Sequence, residues 1–100
     1  MFKLILYWNV MPPGNDEEYF AFLSHELGPT LVKLGIRPTD AWFTVYGDDP
    51  QVRIGGVADD LDTIRRALES EQWQQVYDKL LDYVTDYRYK IVSASGEFQL

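Results

Sequence analysis

The most constraining feature of this chain is its amino-terminal run, Phe2–Val10, which alternates with period two yet leaves neither face polar. Phe2, Leu4, Leu6, Trp8 and Val10 form one face, and Lys3, Ile5, Tyr7 and Asn9 form the other. A period of two is the signature of a strand. A strand at the rim of a sheet, or one with a wet face, would show polar residues on one parity. This one predicts a buried strand with a core on one side and a partner or ligand on the other. Met11, Pro12, Pro13 and Gly14 then end it, since proline has no amide to give to a ladder and glycine permits a turn.

The remaining chain parses into a definite order. Asn15 or Asp16 can cap a helix whose first turn carries Glu17 and Glu18, where the helix dipole favours negative charge. Phe20, Leu23, Leu27, Leu31 and Leu34 recur at helical spacing and predict the inward stripe. Gly28-Pro29 is expected to kink or loosen that helix, and Gly35 falls just past its end. Residues 41–46 and 51–58 read as short strands separated by the turn-forming Gly47-Asp48-Asp49-Pro50. Asp59-Asp60 caps a short helix with Leu61, Ile64 and Leu68 inward, and Ser70 starts another with Trp73, Val76, Tyr77, Leu80 and Val84 inward. Residues 87–93 form the last strand, and the tail from Ser95 is left open between an edge strand and a docking segment.

Strand, helix, strand, strand, helix pair, strand is the order of the ferredoxin-like split β-α-β-β-α-β fold, of α+β class. It predicts one domain over residues 1–100, with a four-stranded antiparallel sheet and helices on one face. The uncovered face should carry Ile5, Tyr7, Trp42, Tyr46 and Val92 among Lys3, Thr44, Arg53, Arg88 and Lys90. An exposed aromatic surface of that kind marks a partner or ligand, so a homodimer with its two sheets face to face is expected.

Charge and composition exclude several functions. Sixteen acids against nine bases give a formal charge of −7, which repels a phosphate backbone and an anionic membrane surface. Neither nucleic acid nor membrane is expected as a partner. The absence of cysteine removes disulfides, thiolate chemistry and Cys-ligated metals, and fits a cytoplasmic location. The apolar amino terminus is too short to span a bilayer. No phosphate loop, dinucleotide glycine pattern, Ser-His-Asp spacing or EF-hand is present, and with a single histidine no transition-metal site is expected.

The scattered positions Leu6-Tyr7-Trp8, Pro13-Gly14, Glu17-Glu18-Tyr19, Phe22, Pro29-Thr30-Leu31 and Gly35, followed by Gly55-Gly56 and residues 67–73, resemble the dimeric α+β barrel superfamily. The similarity is greatest to its NIPSNAP-like, EthD-like and antibiotic-biosynthesis-monooxygenase-like branches. The resemblance implies a homodimer whose two sheets form a barrel, with a small pocket in each subunit between helix and sheet. It implies no single activity, because the superfamily holds cofactor-free oxygenases, haem-degrading enzymes and isomerases. Haem-degrading members are similar in having an asparagine on the first strand and a tryptophan early in the last helix, where Asn9 and Trp73 stand. They also place an iron-ligating histidine further along, where this chain reads Asp82-Tyr83-Val84. Haem ligation of that kind is not expected, and no cofactor is.

The candidate residues each carry two readings. His25, the only histidine, is either a proton shuttle or an ordinary surface residue, since it projects away from the inward stripe. Tyr7, Trp8 and Asn9 could orient a planar ligand, with Asn9 holding an oxyanion, or fill sheet core. Trp42 and Trp73 line a cavity or pack. Arg53, with Arg88 and Lys90, could bind a carboxylate or enolate, or stand exposed. Tyr83, Tyr87 and Tyr89 suit a dimer contact. Three functions follow: a small-molecule binding protein for an apolar or aromatic ligand, a cofactor-free oxygenase or isomerase, or a dimeric interaction module with a filled core.

Overall fold

A computed structural model describes residues 1–10, 16–46 and 49–93, with the side chains of 1–10, 17–41 and 52–93. The elements are β1 (Phe2–Val10), α1 (Asp16–Phe22), a π turn (Leu23–Leu27), α2 (Gly28–Lys33), β2 (Arg37–Tyr46), β3 (Asp49–Ala58), α3 (Leu61–Glu69), α4 (Glu71–Leu80) and β4 (Val84–Ser93). The sheet is antiparallel with strand order β2-β3-β1-β4. This is the split β-α-β-β-α-β architecture, and it places β1 in the interior, as its two apolar faces require.

The helices cover the Leu4–Leu6–Trp8 face. Those side chains share one core with Tyr19, Phe22, Leu27 and Leu31 of the first helical layer, and with Ile64, Trp73, Val76 and Leu80 of the second. Trp8 is 1% exposed and Trp73 4%. Each fully buried side chain of this size contributes roughly 1.5–3 kcal/mol or more, so this layer supplies most of the driving force.

Two stripes differ from expectation. Phe20 is 56% exposed, while Tyr19 and Phe22 point inward. The cause is the π turn. Pro29 has no N–H for the carbonyl four residues back, and the helix responds by widening rather than kinking. The Gly28 amide donates to the Leu23 carbonyl, five residues back, and the flanking Phe22 and Gly28 keep right-handed helical dihedrals. The extra residue in that turn rotates everything before it by about 100° relative to a plain helix. In the second stripe, α4 stops at Leu80, so Val84 is buried from β4 and not from the helix. Both ends of the sheet are longer than expected, β2 beginning at Arg37 and β4 at Val84.

The caps predicted at Gly35, Asp60 and Ser70 hold. Gly35 adopts φ +90°, the Gly35 amide reaches the Val32 carbonyl at 3.1 Å and the Ile36 amide reaches Leu31 at 2.9 Å, which closes α2 in a Schellman motif. The Asp60 carboxylate accepts from the Thr63 amide at 2.8 Å, and the Ser70 hydroxyl accepts from the Trp73 amide at 3.1 Å. The expected turn at Gly47-Asp48, the residues 11–15 and the tail from Ser95 lie outside the described residues.

Candidate functional site

The second sheet face is where the sequence-predicted residues gather. Register alone places them: Tyr7 on β1 lies between Arg53 on β3 and Arg88 on β4, and Arg53 is in turn paired with Trp42 on β2. Cross-strand neighbours on one face stand within side-chain reach. The Arg88 guanidinium sits 5.6 Å from the Tyr7 ring centroid, a cation–π contact. The side chain of Trp42 lies outside the described residues, so only its position on this row is known. One row further along β1, Ile5 stands between Gly55 and Lys90, and is already 7% exposed in a single copy.

Gly55 is bare for a reason. A Cβ there would strike the Asp40 carboxylate and come within 2.6 Å of Lys3 Cε. Its absence lets Lys3 on β1 reach across β3 to Asp40 on β2, at 3.0 Å. Arg37 is similarly held by Asp59 at 3.3 Å. Arg53, Arg88 and Lys90 have no acidic partner among the described residues.

Asn9 closes the row's end through a bulge. The β1–β4 register shifts between Tyr7 and Asn9, and Asp86 there takes φ 56°, a left-handed conformation that aspartate tolerates better than most residues. The Asn9 amide donates to the Asp86 carboxylate at 3.2 Å, while the Asn9 side-chain carbonyl oxygen is buried with no hydrogen-bond partner among the described residues. Nothing in the strand alternation signals that bulge, since Asp86 reads as an ordinary polar residue.

Tyr87 keeps the parity of Tyr89 and Ile91, which pair with Leu6 and Leu4, and so faces the helical side. Its ring stacks on Trp8 with centroids 6.4 Å apart and meets Tyr77 edge-on at 4.9 Å. Tyr83 packs on Tyr19 and Phe22 at 5.9 and 5.6 Å. Tyr83 and Tyr87 are thus core aromatics rather than the surface contacts expected of them, and only Tyr89 of the three is exposed, at 52%. Trp8 is fixed in this cluster by donating its indole N–H to the Tyr19 hydroxyl at 2.8 Å. Burial raises the Tyr19 and Tyr87 phenols above their ordinary range, for Tyr87 with help from neighbouring Tyr77 and Tyr89. Trp8 and Trp73 are therefore packing residues of the helix–sheet layer, and they do not meet Tyr7, Asn9 or Arg53 across the sheet.

His25 lies elsewhere. It is exposed on the π turn and lines a groove of about 350 Å³ between α2 and α4, with Glu26, Thr30, Lys33, Gln72 and Lys79. Glu26 and Lys79 pair across the groove at 2.6 Å, which holds the Lys79 ammonium above its ordinary value. The groove is on the helical layer, and Asn9 is on the sheet, so the two weak catalytic candidates do not converge. Among the described residues no three His, Asp or Glu side chains gather as a metal site, and no helix is long and apolar enough to cross a membrane.

No protein family and no curated protein matches the chain in sequence. Solved structures do match in fold. An uncharacterized NIPSNAP domain protein from Burkholderia xenovorans superposes with a TM-score of 0.69 at 15% identity, over 96% of each chain. The cofactor-independent oxygenase SnoaB from Streptomyces nogalater gives 0.68 at 16% identity, over 99% of this chain and 97% of that one. A proposed antibiotic biosynthesis monooxygenase from Nitrosomonas europaea gives 0.68 at 14% identity, over 94% and 98%. Likeness at such identity is likeness of fold, and the fold is that of NIPSNAP-like and antibiotic-biosynthesis-monooxygenase-like dimeric α+β barrel structures, across nearly the whole chain.

Proposed function

We propose that this chain is a homodimeric small-molecule-binding protein, with its ligand on the uncovered sheet face over Tyr7, Asn9 and Arg53, beside the Trp42 position. The observation that carries the reading is the row Arg53–Tyr7–Arg88, where an aromatic ring stands between cations lacking an acidic partner among the described residues. Ile5, Tyr7, Val57 and Val92 supply apolar surface around it, and a second copy of the same face is what would exclude water from both. The resemblance to the dimeric α+β barrel superfamily supports such a pairing.

Turnover is a weaker reading. A cofactor-free oxygenase or isomerase needs polar groups converging on one cavity, and His25 and Asn9 stand on opposite layers. The interaction-module reading draws support from the tight burial of Trp8 and Trp73 between helices and sheet. It is separated from the binding reading by ligand response.

Sedimentation of the purified chain tests the dimer. The expected species at micromolar concentration has about twice the 11.6 kDa monomer mass. Val57→Lys, on the sheet face, should shift it toward monomer. Val32→Lys, on the helical surface where Val32 is 57% exposed, should not. A monomer under all conditions, or a dimer indifferent to Val57→Lys, rejects the proposal.

A further inference from the structure

The helical surface carries a second cleft beside the groove that holds His25. It lies between the end of α2 and α3, has a volume of about 340 Å³, and is lined by Lys33, Leu34, Thr63, Arg66 and Ala67. Lys33 and Leu34 also line the His25 groove, so the end of α2 is the wall that the two share. Local contacts fix this shape. Ser70 ends α3 and starts α4; its hydroxyl donates to the Ala67 carbonyl at 2.7 Å and accepts from the Trp73 amide, so both helices leave one corner. Gly35 lets the end of α2 approach α3, because a Cβ there would come within 2.9 Å of Thr63 Cγ2. Thr63 is itself held by Asp60, through its amide at 2.8 Å and its hydroxyl at 2.7 Å.

The charge lining these clefts is opposite to that of the chain. Sixteen acids outnumber nine bases overall, yet the α2–α3 cleft is lined by the cations Lys33 and Arg66 and by no acid. Neither cation makes an ion pair among the described residues, and Arg66 acts on the Asp60 carboxylate only from beyond pairing distance. The acids of α3, Asp62 and Glu69, do not line the cleft. In the adjoining groove the one acid, Glu26, is taken by Lys79. There α4 presents Gln72 and Gln75, while its acids Glu71 and Asp78 lie off the groove.

Two cations without acidic partners on one cleft match a dianion. A phosphate monoester carries about −1.5 to −2 near neutrality, against a single charge on a carboxylate. Arginine offers phosphate oxygens a fork of donors, and lysine a mobile point charge. The Gln72 and Gln75 amides and the Thr30 hydroxyl next door supply both donors and acceptors, which suits an uncharged polar body. The net charge of −7 opposes a long polyanion, which would cross the acidic faces. A ligand confined to the clefts meets their local field first, since charges beyond about 8 Å are screened at physiological salt.

We infer that the helical surface binds a small phosphate monoester with a polar body, its phosphoryl group between Lys33 and Arg66 and its body along Gln72 and Gln75. This site shares no residue with the sheet face, and either can fail without the other.

The experiment is an NMR titration of the full chain with AMP, adenosine and inorganic phosphate, at ionic strength matched with sodium chloride. AMP is expected to move the resonances of Lys33, Arg66, Gln72 and Gln75, and to bind at least about tenfold more tightly than phosphate or adenosine. Phosphate should move Lys33 and Arg66 alone. Lys33→Gln and Arg66→Gln should each weaken AMP binding by about tenfold or more, and Gln75→Ala should weaken AMP while leaving phosphate unchanged. Arg65→Gln, which removes an exposed charge outside the cleft, should alter neither, with circular dichroism verifying that every variant folds. Lys33 and Arg66 resonances unmoved by both phosphate and AMP overturn the inference. An equal loss on Arg65→Gln also overturns it, because the attraction would then be diffuse. So does equal affinity for AMP and phosphate, because the body of the ligand would then make no contact.

Discussion

At the scale of single residues, the buried Trp8–Tyr19 hydrogen bond is the contact with most at stake. Both partners are large, both are enclosed, and the bond spans from sheet to helix. Tyr19→Phe keeps the ring and strands the indole N–H in an apolar layer, where an unmet donor costs roughly 1–3 kcal/mol. Urea unfolding monitored by tryptophan fluorescence should register that loss with an unchanged m value. Tyr19 was hidden in the sequence because a buried tyrosine and an exposed one look alike without the helix phase. A second residue-level prediction concerns acid. Hydrogen bonds from the Thr63 hydroxyl and amide hold the Asp60 carboxyl below its ordinary value. A depressed carboxylate stabilises the folded state above its unfolded pKa of about 4, and that contribution is lost as pH falls through the folded value. Protection of the Thr63 amide from hydrogen exchange should therefore be constant from neutrality to about pH 4 and decline below it. Asp60→Asn, which still caps, should flatten the dependence.

At the scale of elements, the π turn is what sequence periodicity could not reveal. A plain helix puts Phe20 in line with Leu27 and Leu31, and that is how the stripe reads at a constant 100° per residue. One extra residue in the Leu23–Leu27 turn swings Tyr19 and Phe22 into the core and Phe20 out. Gly28-Pro29 signalled a disturbance but not its form, because a kink, a break and a widened turn all relieve the missing amide. Deleting Ser24, an exposed residue inside that turn, distinguishes structural need from accident. The shortened segment can return to ordinary helix only by rotating Tyr19 and Phe22 out of the core. A loss of at least about 3 kcal/mol is expected, as for truncating one large core aromatic. Ser24→Ala should be near neutral, and equal effects of the two changes would mean that the turn carries no phase information. The β4 bulge was equally illegible. Asp86 reads as an ordinary polar strand residue, yet its left-handed backbone accompanies a shift of the β1–β4 register between Tyr7 and Asn9, while Tyr87 keeps the face that alternation gives it. The elements themselves were legible, since their caps, breakers and spacing are local properties of short segments.

For the whole molecule, the order of elements and the two-sided first strand were enough to specify the fold, because few topologies give a central β1 with both helical layers on one side. The faces of the sheet followed from parity. Which face would hold the proposed ligand did not, because Tyr7, Trp8 and Asn9 are adjacent in sequence and split across the sheet: Trp8 goes to the core, and its two neighbours go to the uncovered side. That split makes thermal stability a test of assembly. If two copies close over the uncovered face, unfolding exposes the interface as well as the core, and the midpoint must rise with protein concentration. For a domain of this size, above the dimer Kd, the rise should be about 3–5 °C for each tenfold in concentration. Val57→Lys should reduce that slope toward zero and Val32→Lys should leave it, because only the first places a charge on the covered face. A midpoint independent of concentration in the native chain would mean that the sheet face meets water in solution and that its aromatic and cationic row serves no second copy.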